Sequence, residues 1–256
     1  MYAELKQELY KLGHRKLPWW IISFLIVFMI FIGFGMGKEY GKLLVMTCYD
    51  SSQVIMLILV VVGSTIFSME FQNKTILTLM YHASNKGIVY LTKFITIFIY
   101  NVFLHIVALI ITIFFNTVPL VAKLVPWTVI YKYHQPLFIN MLATTGVDLV
   151  TSTLIISLIC LVSCLINSDT IVIVVNAIII FMGTSLSSNL LNSHIGPVKV
   201  IRWNPFNMLN LTTQYYNYAT YHLTSMLSNA QLLIGTLCYI VIFTFLGYLI
   251  FRRKNF

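Results

Sequence analysis

Charge is what this sequence has least of. Of its 256 residues, 9% are Asp, Glu, Lys or Arg, and seven are acidic. An ordinary soluble domain carries about 25%. A soluble chain with so few charges could not cover its surface and stay dispersed. Cysteine is scarce as well. Cys48, Cys160, Cys164 and Cys238 are scattered, which excludes a disulfide scaffold. Cys160 and Cys164 share a helix face, but no further ligands stand near them, so they read as packing residues rather than a metal site.

Catalytic patterns are missing too. No Gly-x-x-x-x-Gly-Lys-Ser/Thr loop occurs, so the chain is not expected to bind ATP through one. His-Glu-x-x-His and Cys-x-x-Cys are absent. Gly63-Ser64 lies in no Gly-x-Ser-x-Gly frame, and the six histidines fall in separate segments. Ser64 with His105 is the one pair a membrane hydrolase could use, and nothing in the sequence brings them together. The reading is a non-catalytic chain with no cofactor or metal of its own.

What the sequence does have is apolar length. Apolar residues make up 59%, aromatics 14%, and the mean hydropathy is +0.89. About 20 apolar residues cross the roughly 30 Å of a bilayer core. Six runs qualify or come close: 19–36, 53–68, 94–115, 142–166, 170–186 and 232–251. The fold class is therefore all-α, a single polytopic membrane domain over 1–256 with six transmembrane helices. No repeat of 20–50 residues suggests a solenoid. Glu4 and Glu8 precede the first run and no small-x-small site follows it, so that run should remain as an anchor.

The net charge of +9 would suggest nucleic acid in a soluble protein. Here the positions of the basic residues point to membrane sidedness instead. Ten of the sixteen Lys and Arg fall on the side of the termini, and six on the other. That asymmetry puts both termini in the cytoplasm of a cell membrane. Lys outnumbers Arg, and Ile, Asn, Tyr and Phe are frequent, a codon preference of low-GC bacteria.

Three segments outside the runs are informative. In 1–17, Tyr2, Leu5, Leu9 and Leu12 form one helical stripe, with Glu4, Lys6, Gln7, Glu8, Lys11 and Arg15 on the other faces. Pro18 is expected to break this helix, and Trp19-Trp20 to enter the aromatic belt. The result is an interfacial helix against membrane lipid. The segment 70–87 mixes helix formers with Phe71, Ile76, Leu77, Leu79 and Met80 before Gly87. So apolar a loop calls for a partner to cover it. The segment 187–231 is rich in rings, with Trp203, Phe206, Tyr215, Tyr216, Tyr218 and Tyr221, and reads as a re-entrant or interfacial hairpin or a compact outer lid.

Within the runs, Asp148 is the one acid. A carboxylate there costs at least ~2.5 kcal/mol on insertion scales, so it should face protein or water, or be neutral. Asn101 and His105 are four apart and share a face. These three are candidates for a polar path, or for hydrogen bonds that hold helices together.

The layout resembles the membrane permease of type-2 ABC exporters. The residues that carry the resemblance are the amphipathic elbow ending at Pro18-Trp19, Glu70 at the end of the second span, and Asn73-Lys-Thr-Ile-Leu-Thr-Leu79 after it. Lys86 and Lys93 opening the third span, the tight turn at Asn167–Asp169 and Trp203-Asn-Pro-Phe206 also match. The loop 116–140 is longer than the family pattern. The resemblance implies a half-transporter whose two permease copies, identical or not, form the pore. It implies a separate ATP-binding cassette subunit, which would carry ATP and Mg. The segment 70–87 would be the coupling loop, with Glu70, Asn73, Lys74, Thr75, Leu77, Leu79 and Met80 against that subunit. Asn101, His105 and Asp148 would line the substrate path. The chain is similar to Gram-positive peptide exporters such as those of phenol-soluble modulins. Two rivals stand beside it: a six-span intramembrane enzyme, and the substrate-binding membrane subunit of an ATP-driven importer. Nucleic acid is not an expected partner.

Overall fold

The computed structural model describes residues 2–36, 38–72, 85–118, 124–166, 168–193 and 197–254. Among these residues it is all-α, with six helices long and apolar enough to span a membrane. Helix α1 (Tyr2–His14) precedes the first span, α2 (Lys16–Met36). A 3-10 turn at Lys38–Tyr40 leads into the short α3 (Gly41–Met46), then α4 (Ser51–Gln72). The long helices α5 (Lys86–Thr117) and α6 (Leu137–Leu165) follow, then α7 (Asp169–Asn192). Between α7 and the last span lie α8 (Val198–Ile201), a 3-10 turn at Asn207–Asn210, α9 (Leu211–Tyr216) and α10 (Tyr218–Ser225). The last span is α11 (Asn229–Arg253). The spans outrun most of the apolar runs because polar residues continue a helix beyond the hydrocarbon.

Helices α4 and α6 form the centre. α6 packs most extensively against α11 and α4, and α4 also contacts α5, α7 and α2. The close α4 packing depends on Gly63, where a Cβ would stand 3.3 Å from Ile159 of α6. Helices α2, α7 and α11 leave most of their apolar surface outward, including Phe24, Phe31, Phe181 and Phe245. Such faces belong against lipid or another membrane chain.

The start of α1 and the end of α11 share one end of this bundle, the basal end, and the segments before α4, α6 and α11 form the distal end. At the basal end α1 packs on α5. The expected interfacial helix is present, with two corrections. The break falls at Arg15, three residues before Pro18. Pro18 occupies the first turn of α2, where a missing N–H costs nothing. Glu8 does not lie on a polar outer face. It is buried with Leu12, because Lys93 of α5 meets it from below at 3.8 Å while Lys11 bonds it at 2.7 Å.

At the distal end, the partly buried α9 and α10 form a cap, with α9 against the ends of α6 and α11. Neutral amides hold this cap. Asn207 Nδ2 donates to the carbonyls of Arg202 and Ser225 at 2.6 and 2.8 Å. Gln214 Nε2 donates to Leu227 O at 2.8 Å. The turn before α6 docks on the cap through Tyr133, whose hydroxyl donates to Tyr215 O at 2.6 Å. Ser228 and Gln231 close a capping box at the start of α11.

Candidate functional site

The site is built where the distal cap meets α4, α6 and α7. Between α3 and α4, Cys48, Tyr49 and Asp50 all have left-handed backbone, with φ of 48°, 54° and 56°. Each such non-glycine residue costs roughly 1–2 kcal/mol. The turn persists because its surroundings fix it. Tyr49 N donates to Leu44 O at 2.7 Å and Ser51 N to Cys48 O at 3.1 Å. The buried Tyr49 ring meets Phe115 of α5 edge-on at 5.4 Å, and Cys48 Sγ lies 3.6 Å from Thr145 Oγ1 of α6. The turn brings Asp50 within electrostatic reach of Asp148. The apolar stretch that includes α4 begins at Gly41, so it takes in Asp50. Asp148 is therefore not alone among acids in the spans.

A polar seam runs down the α5–α6 interface from this turn. Asn101 Nδ2 donates to Ser152 Oγ at 2.8 Å. His105 Nδ1 stands 2.9 Å from the carbonyl of Asn101. Thr212 of α9 donates to Thr151 of α6 at 2.9 Å, and its hydroxyl lies near Asp148. Asn101, His105 and Asp148 are 0%, 3% and 4% exposed, so all three face protein rather than lipid. The structure brings these three candidates onto neighbouring turns of two helices.

Beside the seam is a pocket of about 250 Å³. Gln53 and Met56 of α4 form one wall, Phe181 and Thr184 of α7 another, and Asn210 and Thr212 of the cap the third. Its lining mixes hydroxyls and amides with apolar side chains. Thr212 belongs to both the pocket and the seam, so the two share a wall. Tyr216, one turn on along α9, keeps its phenol proton. Burial pushes its pKa up first, and Asp50, Tyr221 and Asp148 add to that.

Among the coupling candidates, Glu70 lies in the last two turns of α4. Asn73, Lys74, Thr75, Leu77, Leu79 and Met80 lie outside the described residues. Sequence reasoning missed Asp50, Gln53 and Thr212. Tyr-Asp-Ser-Ser reads locally as a loop, and Thr212 sits in a segment with no helical period long enough to assign a face. Among the described residues, no group of three or more His, Cys, Asp or Glu could hold a metal ion.

No curated protein matches the chain closely enough to count as a relative. The family model of ABC-2 family transporter proteins matches residues 4–183, from α1 into α7. With its six apolar spans and a buried polar seam beside a pocket, the chain belongs to the ABC-2 family of membrane transporter proteins.

Proposed function

We propose that the chain is the permease subunit of an ATP-driven exporter that moves amphipathic peptides or similar amphiphiles out of a Gram-positive cell. The observation that carries this reading is the pocket between α4, α7 and the cap. Its paired polar and apolar walls suit a ligand with both characters. The chain has no phosphate loop of its own, so the reading assigns ATP and Mg to a separate ATP-binding cassette subunit. The basal end is then cytoplasmic, as the excess of Lys and Arg there favours. The outward apolar faces of α2, α7 and α11 meet lipid and a second permease copy.

In this reading Glu70, Asn73, Lys74, Thr75, Leu77, Leu79 and Met80 contact the ATP-binding subunit. The substrate passes the α4–α7 pocket, and Asn101, His105 and Asp148 form the polar backing of that path. The test is affinity purification in mild detergent from the native host, with co-purifying subunits identified. An ATPase should be recovered with the wild type. Glu70→Lys should leave the permease folded but lower ATPase recovery, since reversing a charge at a buried contact costs about 2–5 kcal/mol. Recovery of the wild-type chain without any ATPase would sink the proposal.

A further inference from the structure

Hydrogen-bond logic fixes the character of the atoms at the centre of the seam. The Ser152 hydroxyl donates to Leu149 O at 3.1 Å, so it can only accept from Asn101. Asn101 Nδ2 is therefore the donor, and its Oδ1 is left as an acceptor. A backbone carbonyl only accepts, so His105 Nδ1 carries the ring proton toward Asn101 O. In the neutral ring Nε2 is then an acceptor. Asn101 Oδ1, His105 Nε2 and Asp148 Oδ1 are all buried without a hydrogen-bond partner.

The helix register brings these atoms to adjoining levels. α5 and α6 run antiparallel, and Asn101 is bonded across to Ser152. Four residues further along α5 is His105, and four residues back along α6 is Asp148. Each is one turn from the bonded pair, in the same direction and on the same face. Two acceptors from α5 and a carboxylate from α6 cannot satisfy one another. One added proton changes that. As a carboxylic acid, Asp148 becomes a donor, and His105 Nε2 can accept from it directly or through one bridging water. The same proton removes the charge that is costly at this depth.

We propose that Asn101, His105 and Asp148 form a proton-binding site inside the bundle, in which Asp148 is the carboxylic acid and its proton is shared with His105 Nε2. The other ionisable groups around Asp148 are Cys48 and Asp50 of the left-handed turn and Tyr216 of α9. On α11, which packs along α6, Tyr239 donates to Trp203 O and Tyr248 lies against Tyr90. The exposed Cys238 is also on α11. Lys93 is three turns away along α5, bonded to Ile66 O. The proton exchanges through Thr212, whose hydroxyl reaches the seam on one side and lines the pocket on the other. The inference does not depend on what the pocket carries.

The test uses the purified full chain in detergent, with infrared difference spectra in H2O and D2O at neutral pH. The wild type should show a protonated-carboxyl stretch. Asp148→Asn should abolish it while preserving the fold, because the amide N–H can still donate to His105. His105→Phe should shift the band. Histidine 15N resonances provide a readout that does not require His105→Phe to fold. The His105 Nε2 signal should move part of the way toward the free-imidazole position in Asp148→Asn, because an amide N–H is a weaker donor than a carboxylic acid. Absence of the band from the wild type would overturn the proposal. So would a band that ignores His105→Phe but shifts in Asp50→Asn, or an Nε2 signal unchanged in Asp148→Asn.

Discussion

The two ends of the bundle are closed by different chemistry. At the basal end, lysines cap helix carbonyls. Lys93 donates to Ile66 O near the end of α4, Lys254 to Cys164 O at the end of α6, and Lys86 to Lys254 O beyond the end of α11. The last two are C-terminal helix ends, where a cation meets the negative pole of the dipole, whereas Ile66 lies more than one turn inside α4. At the distal end, neutral Asn, Gln, Ser and Tyr side chains do the same work for the cap. The difference teaches that the basic residues which set sidedness in a membrane can also serve as helix caps. In the proposed orientation, with the basal end cytoplasmic, a distal cap built from lysine would weaken the charge asymmetry on which that orientation rests.

The largest expected effect from breaking this contrast is at Lys93. Lys93→Met removes the hydrogen bond to Ile66 O and a cation beside the buried Glu8. Lys11 still pairs with Glu8 at 2.7 Å after the change, so the main loss is the buried charged hydrogen bond to Ile66 O, and the expected cost is ~3 kcal/mol, the upper end for a hydrogen bond to a charged group. Melting of the detergent-solubilised protein measures it. Adding Glu8→Gln to that variant should recover part of the loss. If the double variant is less stable than Lys93→Met alone, the pair is not the reason for the burial.

Next is Asn207, the centre of the distal network. Asn207→Ala leaves the carbonyls of Arg202 and Ser225 without their donor. The expected loss is ~2 kcal/mol, seen as earlier proteolysis of the α9–α10 cap with α1 still protected. Simultaneous loosening of both ends would show that they are not independent.

The smallest effect belongs to Lys254→Gln. Lys254 is partly exposed and sits at a helix end, so the change should cost about 0.3–1 kcal/mol. The same substitution removes a charge from the basal side. Its sharper readout is a small rise in the fraction of inverted topology, measured by labelling a cysteine introduced at the C-terminus. A larger stability loss than that of Asn207→Ala would reverse the ordering of the two ends.

Much of the fold could be read from the sequence, because each span must bury a long apolar run in lipid and carries little charge. The interfacial α1 was legible from its stripe of leucines. Asp148 stood out because an acid inside such a run needs a reason, and Asn101 with His105 because of their spacing. The remainder depended on contacts between distant residues. Glu8 looks solvated until Lys93, 85 positions later, is brought beneath it. Asn207, Gln214 and Ser225 look like loop polarity until their carbonyl partners are placed. Cys48–Asp50 carry no glycine to advertise a left-handed turn, so no local signal could reveal it.

That turn bears on how the protein is made. Cys48 rests on Thr145, 97 residues later in the chain. At about 5–20 residues per second, synthesis of the intervening stretch takes on the order of 5–20 seconds. The segment from Gly41 to Asp50 reaches the membrane before the helix that holds it exists. Its final shape must be taken up late, after α6 has entered the bilayer. Chains halted before α6 should therefore carry this segment in another conformation, with Asp50 still open to water and within reach of whatever assists insertion.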